Sequence, residues 1–291
     1  MMGEGTGFAK AILFGEHFVV HGTHALGASF SKELRVKISP AEKISLNIET
    51  SSIVLEASRA IFSSFSLPEN YRIEVDTDIP SGAGLGWSAA YSVALSRAAA
   101  AEKGISPGWR EISHHAYEGE KVFHGNPSGI DNTLSSQKGV VLFRRDEEPL
   151  PVELAEPLHV VVADSGETGS TKELVAGVSL LKGEKPEHFS DLMEKEEALV
   201  MNAKRALEQG DLPLVGRLMN RNQEYLRRIG VSSSELEGLI EIFRDEGALG
   251  AKLTGAGGGG CAIALLESKK DASAILQHIG KNHLVFEAQI G

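Results

Sequence analysis

The segment Ile79-Pro80-Ser81-Gly82-Ala83-Gly84-Leu85-Gly86-Trp87-Ser88-Ala89-Ala90 constrains this chain more than any other. It follows a strand-like stretch, Tyr71–Asp76, and opens an alanine-rich run, Ser88–Lys103, of strong helix formers. A helix that begins after such a loop presents unpaired amide N–H groups and the positive end of its dipole, and glycine lets an anion come close to the backbone. Phosphate suits that arrangement. The Walker pattern does not apply, because Trp87 stands where its second glycine would be, with no lysine after it. The dinucleotide fingerprint Gly-x-Gly-x-x-Gly fails at the same residue. Taken alone, a glycine turn that only packs strand against helix would look the same.

A second run, Lys252-Leu253-Thr254-Gly255-Ala256-Gly257-Gly258-Gly259-Gly260-Cys261, has five glycines in the six positions 255–260. Ordering each costs roughly 0.5–1 kcal/mol relative to alanine in regular structure, so the run points to a need for bare backbone. Apolar elements flank it closely, which argues against a flexible linker. A third segment, Glu118–Asn132, joins a helix end to a Pro-Ser-Gly turn followed by an acid, Asp131. Phosphoryl transfer uses hard oxygen ligands for a divalent cation and often a carboxylate at the attacking hydroxyl, tasks that Glu120 and Asp131 can divide. Two acids near a turn are also commonly solvated surface. In a fourth segment, Phe8–Gly22, Lys10 begins an apolar strand that Glu16-His17 interrupts. A lysine there either snorkels or neutralises an anion.

The formal net charge of −11 argues against binding to nucleic acid or an anionic membrane, so an anionic substrate must be received by local amides, a few cations or a metal. The single cysteine, Cys261, excludes an intrachain disulfide and is expected to pack as a small apolar residue. No basic-then-apolar leader is seen, and no apolar run approaches the roughly 20 residues that span a bilayer. A cytoplasmic protein is expected. His17, His21 and His24 lie on a predicted strand and turn, so they would share no helical face as metal ligands.

Strands are expected at 11–20, 34–39, 44–48, 71–76, 140–143, 159–163, 261–266 and 284–288. Helices are expected at 53–65, 88–103, 186–209, 212–228, 233–246 and near 272–279, with Asp211 as an N-cap and Ser232/Glu235 as a capping box. The mixture is not regularly alternating and reads as α+β, with a soft boundary near 160–185.

The four segments, in order from residue 8 to residue 261, resemble those of the GHMP kinases. GEHFVVHG (15–22), HGNPSGIDN (124–132) and LTGAGGGGC (253–261) are most similar to the mevalonate kinase family. The resemblance implies a GHMP kinase fold: an N-terminal half of the ribosomal protein S5 domain 2-like type (1–165), a ferredoxin-like C-terminal half (166–291), and a cleft between them. It implies ATP bound by Gly82, Ala83, Gly84, Leu85, Gly86, Ser88, Gly255, Ala256 and Gly257, and Mg²⁺ bound by Ser88 and Glu120. Asp131 takes the place of the proposed base, and Lys10 that of the phosphoryl-contacting cation. Glu16, His17 and Thr171 fall on the acceptor side. The activity implied is phosphorylation of the 5-hydroxyl of mevalonate, and many relatives are homodimers. Alternatives are another GHMP kinase, acting on phosphomevalonate or a different alcohol, and a catalytically silent ligand-binding protein of this fold.

Two departures bear on this. The family loop reads Gly-Leu-Gly-Ser-Ser-Ala-Ala, and here Trp87 replaces the first serine. The indole either packs along the helix, narrows the nucleotide pocket, or marks lost activity. Phe8-Ala9 also stands where the family has Pro-Gly before its lysine.

Overall fold

The computed structural model describes residues 2–48, 51–80 and 84–291. The chain has two compact units. One takes Met1–Lys10, Ser29–Ser81 and Gly86–Lys138, and the other takes Ala11–Ala28, Gly82–Leu85 and Gly139–Gly291. Strands β1 (Gly3–Phe14) and β2 (Ala25–Pro40) each give one stretch to each unit.

In the first unit, Leu34–Pro40 of β2 pairs antiparallel with β4 (Tyr71–Thr77), and the short β3 (Ser45–Leu46) pairs parallel with β4. Leu34, Val36 and Ile38 alternate inward with Ile73 and Val75, the period of a half-buried sheet. Helices α1 (Ser52–Ser64), α2 (Trp87–Glu102), α3 (Trp109–His124) and α4 (Ile130–Ser135) complete this unit. Helix α2 is buried around most of its circumference, from Ala89 to Ala100, which its small side chains permit.

Strand β1 begins at Gly3, well before the predicted start at residue 11. The reason is a close approach: a Cβ on Gly3, Gly5 or Gly7 would lie 2.0–2.1 Å from the carbonyl oxygens of Ala98, Ala94 and Ala90 respectively. Two strand residues advance about 6.6 Å and four helix residues about 6 Å, so a glycine every second position runs in step with an alanine every fourth. Lys10 therefore sits within β1 and not at its start.

The second unit contains β5 (Val140–Phe143), which pairs antiparallel with Ala25–Ala28 of β2 and with β6 (Leu150–Val152). The chain continues through β7 (Leu158–Asp164), α5 (Thr171–Glu184), α6 (Pro186–Gln209), α7 (Leu212–Arg228), α8 (Ser234–Asp245), β8 (Gly250–Leu253), β9 (Cys261–Leu266), α9 (Ala272–Ile279) and β10 (Val285–Ile290). An antiparallel sheet of order β10-β7-β9-β8 forms its centre. β9 is buried along its whole length, and Cys261 with it.

Asp211 caps α7 as expected, accepting the Leu214 N–H at 3.0 Å. Helix α8 is capped by Ser233, which accepts the Leu236 N–H, and not by Ser232. Ser232 instead takes the side-chain amide of Gln223 at 3.0 Å, so the capping box does not form. No described helix is long and apolar enough to cross a membrane.

The strand–helix contact yields a stability test. Gly7→Val should cost about 3 kcal/mol or abolish folding, since overpacking meets backbone here. Gly238→Ala, in α8 with nothing within 4 Å of a Cβ, should gain about 0.5–1 kcal/mol. Denaturant midpoints measure both.

Candidate active site

Lys10 is almost wholly buried, and its Nζ lies 3.0 Å from Asp131 Oδ1, whose carboxylate is about one-third exposed (5% and 35% side-chain exposure). The slot for the lysine stem is made by Gly86. A Cβ there would meet Lys10 Cγ at 2.7 Å, and the residue has φ +77, a conformation natural to glycine. Gly86 is also the N-cap of α2, so the phosphate-type junction and the buried cation share one residue. Asp131 stands in the first turn of α4, entered through Gly129 at φ +88, where a carboxylate is favourably placed in the helix dipole.

Glu120 projects from α3 and is fully buried. Its Oε1 takes a long hydrogen bond of 3.5 Å from Ser92, and its Oε2 accepts none among the described residues. Burial first, and the nearby Asp131 charge second, push its carboxyl up to about 8; Ser88, Lys10 and Ser92 offset this only in part. Ser88 Oγ lies 3.1 Å from His124 Nε2, which is itself 3.7 Å from Glu120 Oε2. A buried, under-satisfied carboxylate with a hydroxyl in the same cluster is a donor set of hard oxygens, the kind Mg²⁺ takes. Lys10, Ser88, Glu120 and Asp131, separated by up to 121 positions in sequence, thus meet within the first unit, together with His124.

The second unit holds the other expected residues. Gly255 would bring a Cβ to 3.7 Å from the Gly84 carbonyl oxygen, so the two glycine segments meet at this point. Gly82 and Ala83 lie outside the described residues. Leu85 is buried. Thr254 fastens the start of the second loop to β1, accepting the Ile12 N–H at 3.0 Å and donating to the Ile12 carbonyl at 3.1 Å. The bare backbone of this loop serves packing: Cβ atoms on Gly257 and Gly259 would collide with the carbonyl oxygens of Val231 (2.0 Å) and Glu167 (2.5 Å).

His17 is a non-glycine residue at φ +62, and its Nε2 lies 2.7 Å from the Ala256 carbonyl oxygen. A carbonyl only accepts, so Nε2 carries the proton. Burial lowers the pKa, making the ring neutral near pH 7 and leaving Nδ1 as an acceptor. Glu16, also buried, takes the ammonium of Lys252. Thr171 opens α5 on an exposed position directly after the N-cap Ser170. His21 and His24 are engaged elsewhere, edge-on to Phe189 and on Glu197, and no group of three or more potential His, Cys, Asp or Glu ligands exists among the described residues.

Family models for the N-terminal domain of the GHMP kinases and for the C-terminal region of the GHMP kinases match residues 52–139 and 203–284. The chain belongs to the GHMP kinases. Within them it falls in the mevalonate kinase family. It is 33% identical to the mevalonate kinase of Aeropyrum pernix, over 97% of this chain and 94% of that protein. It is 34% identical to the mevalonate kinase of Pyrococcus horikoshii, over 90% and 88%. The crystal structure of L. major mevalonate kinase in complex with R-mevalonate superposes with a TM-score of 0.91 at 32% identity, covering 99% of this chain and 95% of that one. The α+β fold expected from the four segments is the GHMP kinase fold.

Sequence reasoning passed over His124, Lys252 and Gly86's role as the lysine slot. His124 and Lys252 stand inside quoted motifs; a lysine flanked by the apolar Ala251 and Leu253 was the available signal for the second. Trp87, the departure from the family loop, stacks on Tyr91 one turn along α2, with ring centroids 5.4 Å apart and planes 3° apart. Tyr91 is in turn anchored through its hydroxyl to Ser58 Oγ at 2.7 Å. The indole therefore packs along the helix. Trp87→Ser should lower stability by about 1 kcal/mol through loss of the stacked pair, while changing kcat less than about threefold. Thermal unfolding and steady-state rates read the two effects.

Proposed function

We propose that this GHMP kinase transfers the γ-phosphoryl group of ATP to the 5-hydroxyl of (R)-mevalonate, giving 5-phosphomevalonate and ADP. The cytoplasmic location expected from the sequence, and the homodimer that the family resemblance allows, are part of this reading. The observation that carries the reading is the Lys10–Asp131 pair beside buried Glu120, on a chain about one-third identical, over nearly its whole length, to mevalonate kinases, one of them solved with R-mevalonate.

Asp131 is exposed enough to meet a substrate hydroxyl, which it orients and whose proton it accepts. Lys10 keeps Asp131 in place and offsets the negative charge of the transferring group. Phosphoryl transfer demands positioning and charge stabilisation more than base strength, which suits an acid held by an ion pair. Glu16, His17 and Thr171 receive the acceptor, the neutral His17 offering Nδ1 to a hydroxyl. The backbone of Gly82, Ala83, Gly84, Leu85 and Gly86, with Gly255, Ala256 and Gly257 of the second loop and the Ser88 hydroxyl, receives the ATP phosphates. Ser88 and Glu120 suit a Mg²⁺ ion, which when bound supplies positive charge to the phosphate oxygens.

The test is Mg²⁺-dependent ADP release with (R)-mevalonate, phosphomevalonate and homoserine as acceptors. Turnover should be confined largely to mevalonate, and Asp131→Asn should lower kcat at least about 100-fold. Preference for another acceptor would reassign the substrate, and binding of ATP without ADP release from any acceptor would contradict the kinase reading.

A further inference from the structure

Helix α6 lies outside all four motifs, yet it backs the corner that carries Glu16 and His17. Phe189 of α6 stacks on Phe18 at 6.1 Å and takes His21 edge-on at 5.0 Å. Glu197 accepts the His24 backbone N–H at 2.8 Å and pairs with His24 Nδ1 at 2.6 Å. Glu196, one residue before, turns inward and is fully buried, its Oε1 accepting the Asn222 side-chain amide of α7 at 2.7 Å. Its Oε2 accepts no hydrogen bond among the described residues. Lys252 of β8 is equally buried; its Nζ donates to Glu16 Oε1 and, at 2.6 Å, to the Leu253 carbonyl.

Asn222, the partner of Glu196, adjoins Gln223, whose Oε1 accepts the Leu253 N–H at 3.0 Å beside Lys252, so two carboxyl groups and one ammonium are buried around one corner. Such a cluster is a poor source of stability, because desolvating the charges consumes most of their attraction, and apolar side chains of equal volume commonly do as well. What it provides is direction. Glu16 is held from one side by Lys252, and His17, the next residue, is held at a positive φ by the Ala256 carbonyl. Without the ammonium, Glu16 would lose the buried cation that faces it; it would take up a proton or rotate, and the neighbouring imidazole would lose its fixed orientation.

We propose that Lys252 and Glu196 are positioning residues for the phosphoryl acceptor, fixing the Glu16 carboxylate and, through it, the His17 imidazole. The proposal rests on the reading above that Glu16 and His17 face mevalonate. Burial, and after it the charge of Glu16, push the Glu196 carboxyl up to about 8, so its neutral form prevails at pH 7 and glutamine is its closest mimic. Burial in turn lowers the pKa of Lys252 despite the adjoining Glu16.

The experiment is calorimetric titration of the full chain at pH 7 with (R)-mevalonate and, separately, with a non-hydrolysable ATP analogue. Lys252→Met and Glu196→Leu should each raise the Kd for mevalonate at least about tenfold and leave that for the nucleotide analogue within about twofold. Glu196→Gln should keep both within about twofold of wild type. Equal weakening of the two ligands, or mevalonate affinity unchanged in both disruptive variants, would overturn the positioning role. If Lys252→Met does not fold, the Leu and Gln variants at position 196 decide by the same criteria. Failure of the wild-type chain itself to bind mevalonate would instead remove the acceptor reading, and the proposal with it.

Discussion

A buried lysine beside an acid organises the first unit. Lys10 can be dry because Asp131 stands 3.0 Å away, and Asp131 can stand there because a left-handed glycine, Gly129, turns the chain into α4. The stem of Lys10 needs the absent side chain of Gly86, and β1 can carry the lysine to that point only because Gly3, Gly5 and Gly7 let the strand lie directly on the backbone of α2. A side chain at Gly86 would collide with the Lys10 stem itself, and one at Gly3, Gly5 or Gly7 with the backbone of the helix on which the strand lies. The same proximity strains Glu120, whose carboxyl is held largely neutral by burial and by Asp131, a condition that a divalent cation would relieve.

The second unit solves a different problem, which is to hold a neutral imidazole in an uncommon backbone conformation. Thr254 ties its glycine loop to β1, and the Ala256 carbonyl of the loop fixes the tautomer of His17. The loop is ordered by contact of bare backbone with the Val231 and Glu167 carbonyls. Its glycines thus serve packing as much as any ligand, and the entropy of ordering them is offset by contacts that no residue with a Cβ could make.

Local chemistry accounts for what could be read from the chain beforehand. Helices 186–209 and 212–228 and strands 140–143 and 261–266 stand where periodicity and caps put them, because each pattern is complete within its own segment. The gathering of Lys10, Ser88, Glu120 and Asp131 was legible only through resemblance, since their spacing alone does not distinguish a site from solvated surface. The early start of β1 was hidden because its glycines answer to α2, some ninety residues away, and not to their neighbours. Ser233 displaced Ser232 as a cap for a similar reason: Gln223, on the preceding helix, claims the Ser232 hydroxyl. Glu196 carries no local signal, since a glutamate in an acidic helix segment reads as exposed until the fold encloses it, and Lys252 is marked only by the apolar Ala251 and Leu253 that flank it.

The most direct measurement is a double-mutant cycle on Lys10 and Asp131, using single-turnover rates of phosphoryl transfer to (R)-mevalonate. If the two act as one unit, Lys10→Met and Asp131→Asn should each slow transfer by about 10²–10³-fold, and the double variant should be no slower than the worse single variant by more than about threefold. Losses that multiply would mean that the residues act independently, and would contradict the account in which the buried pair is the centre of the site.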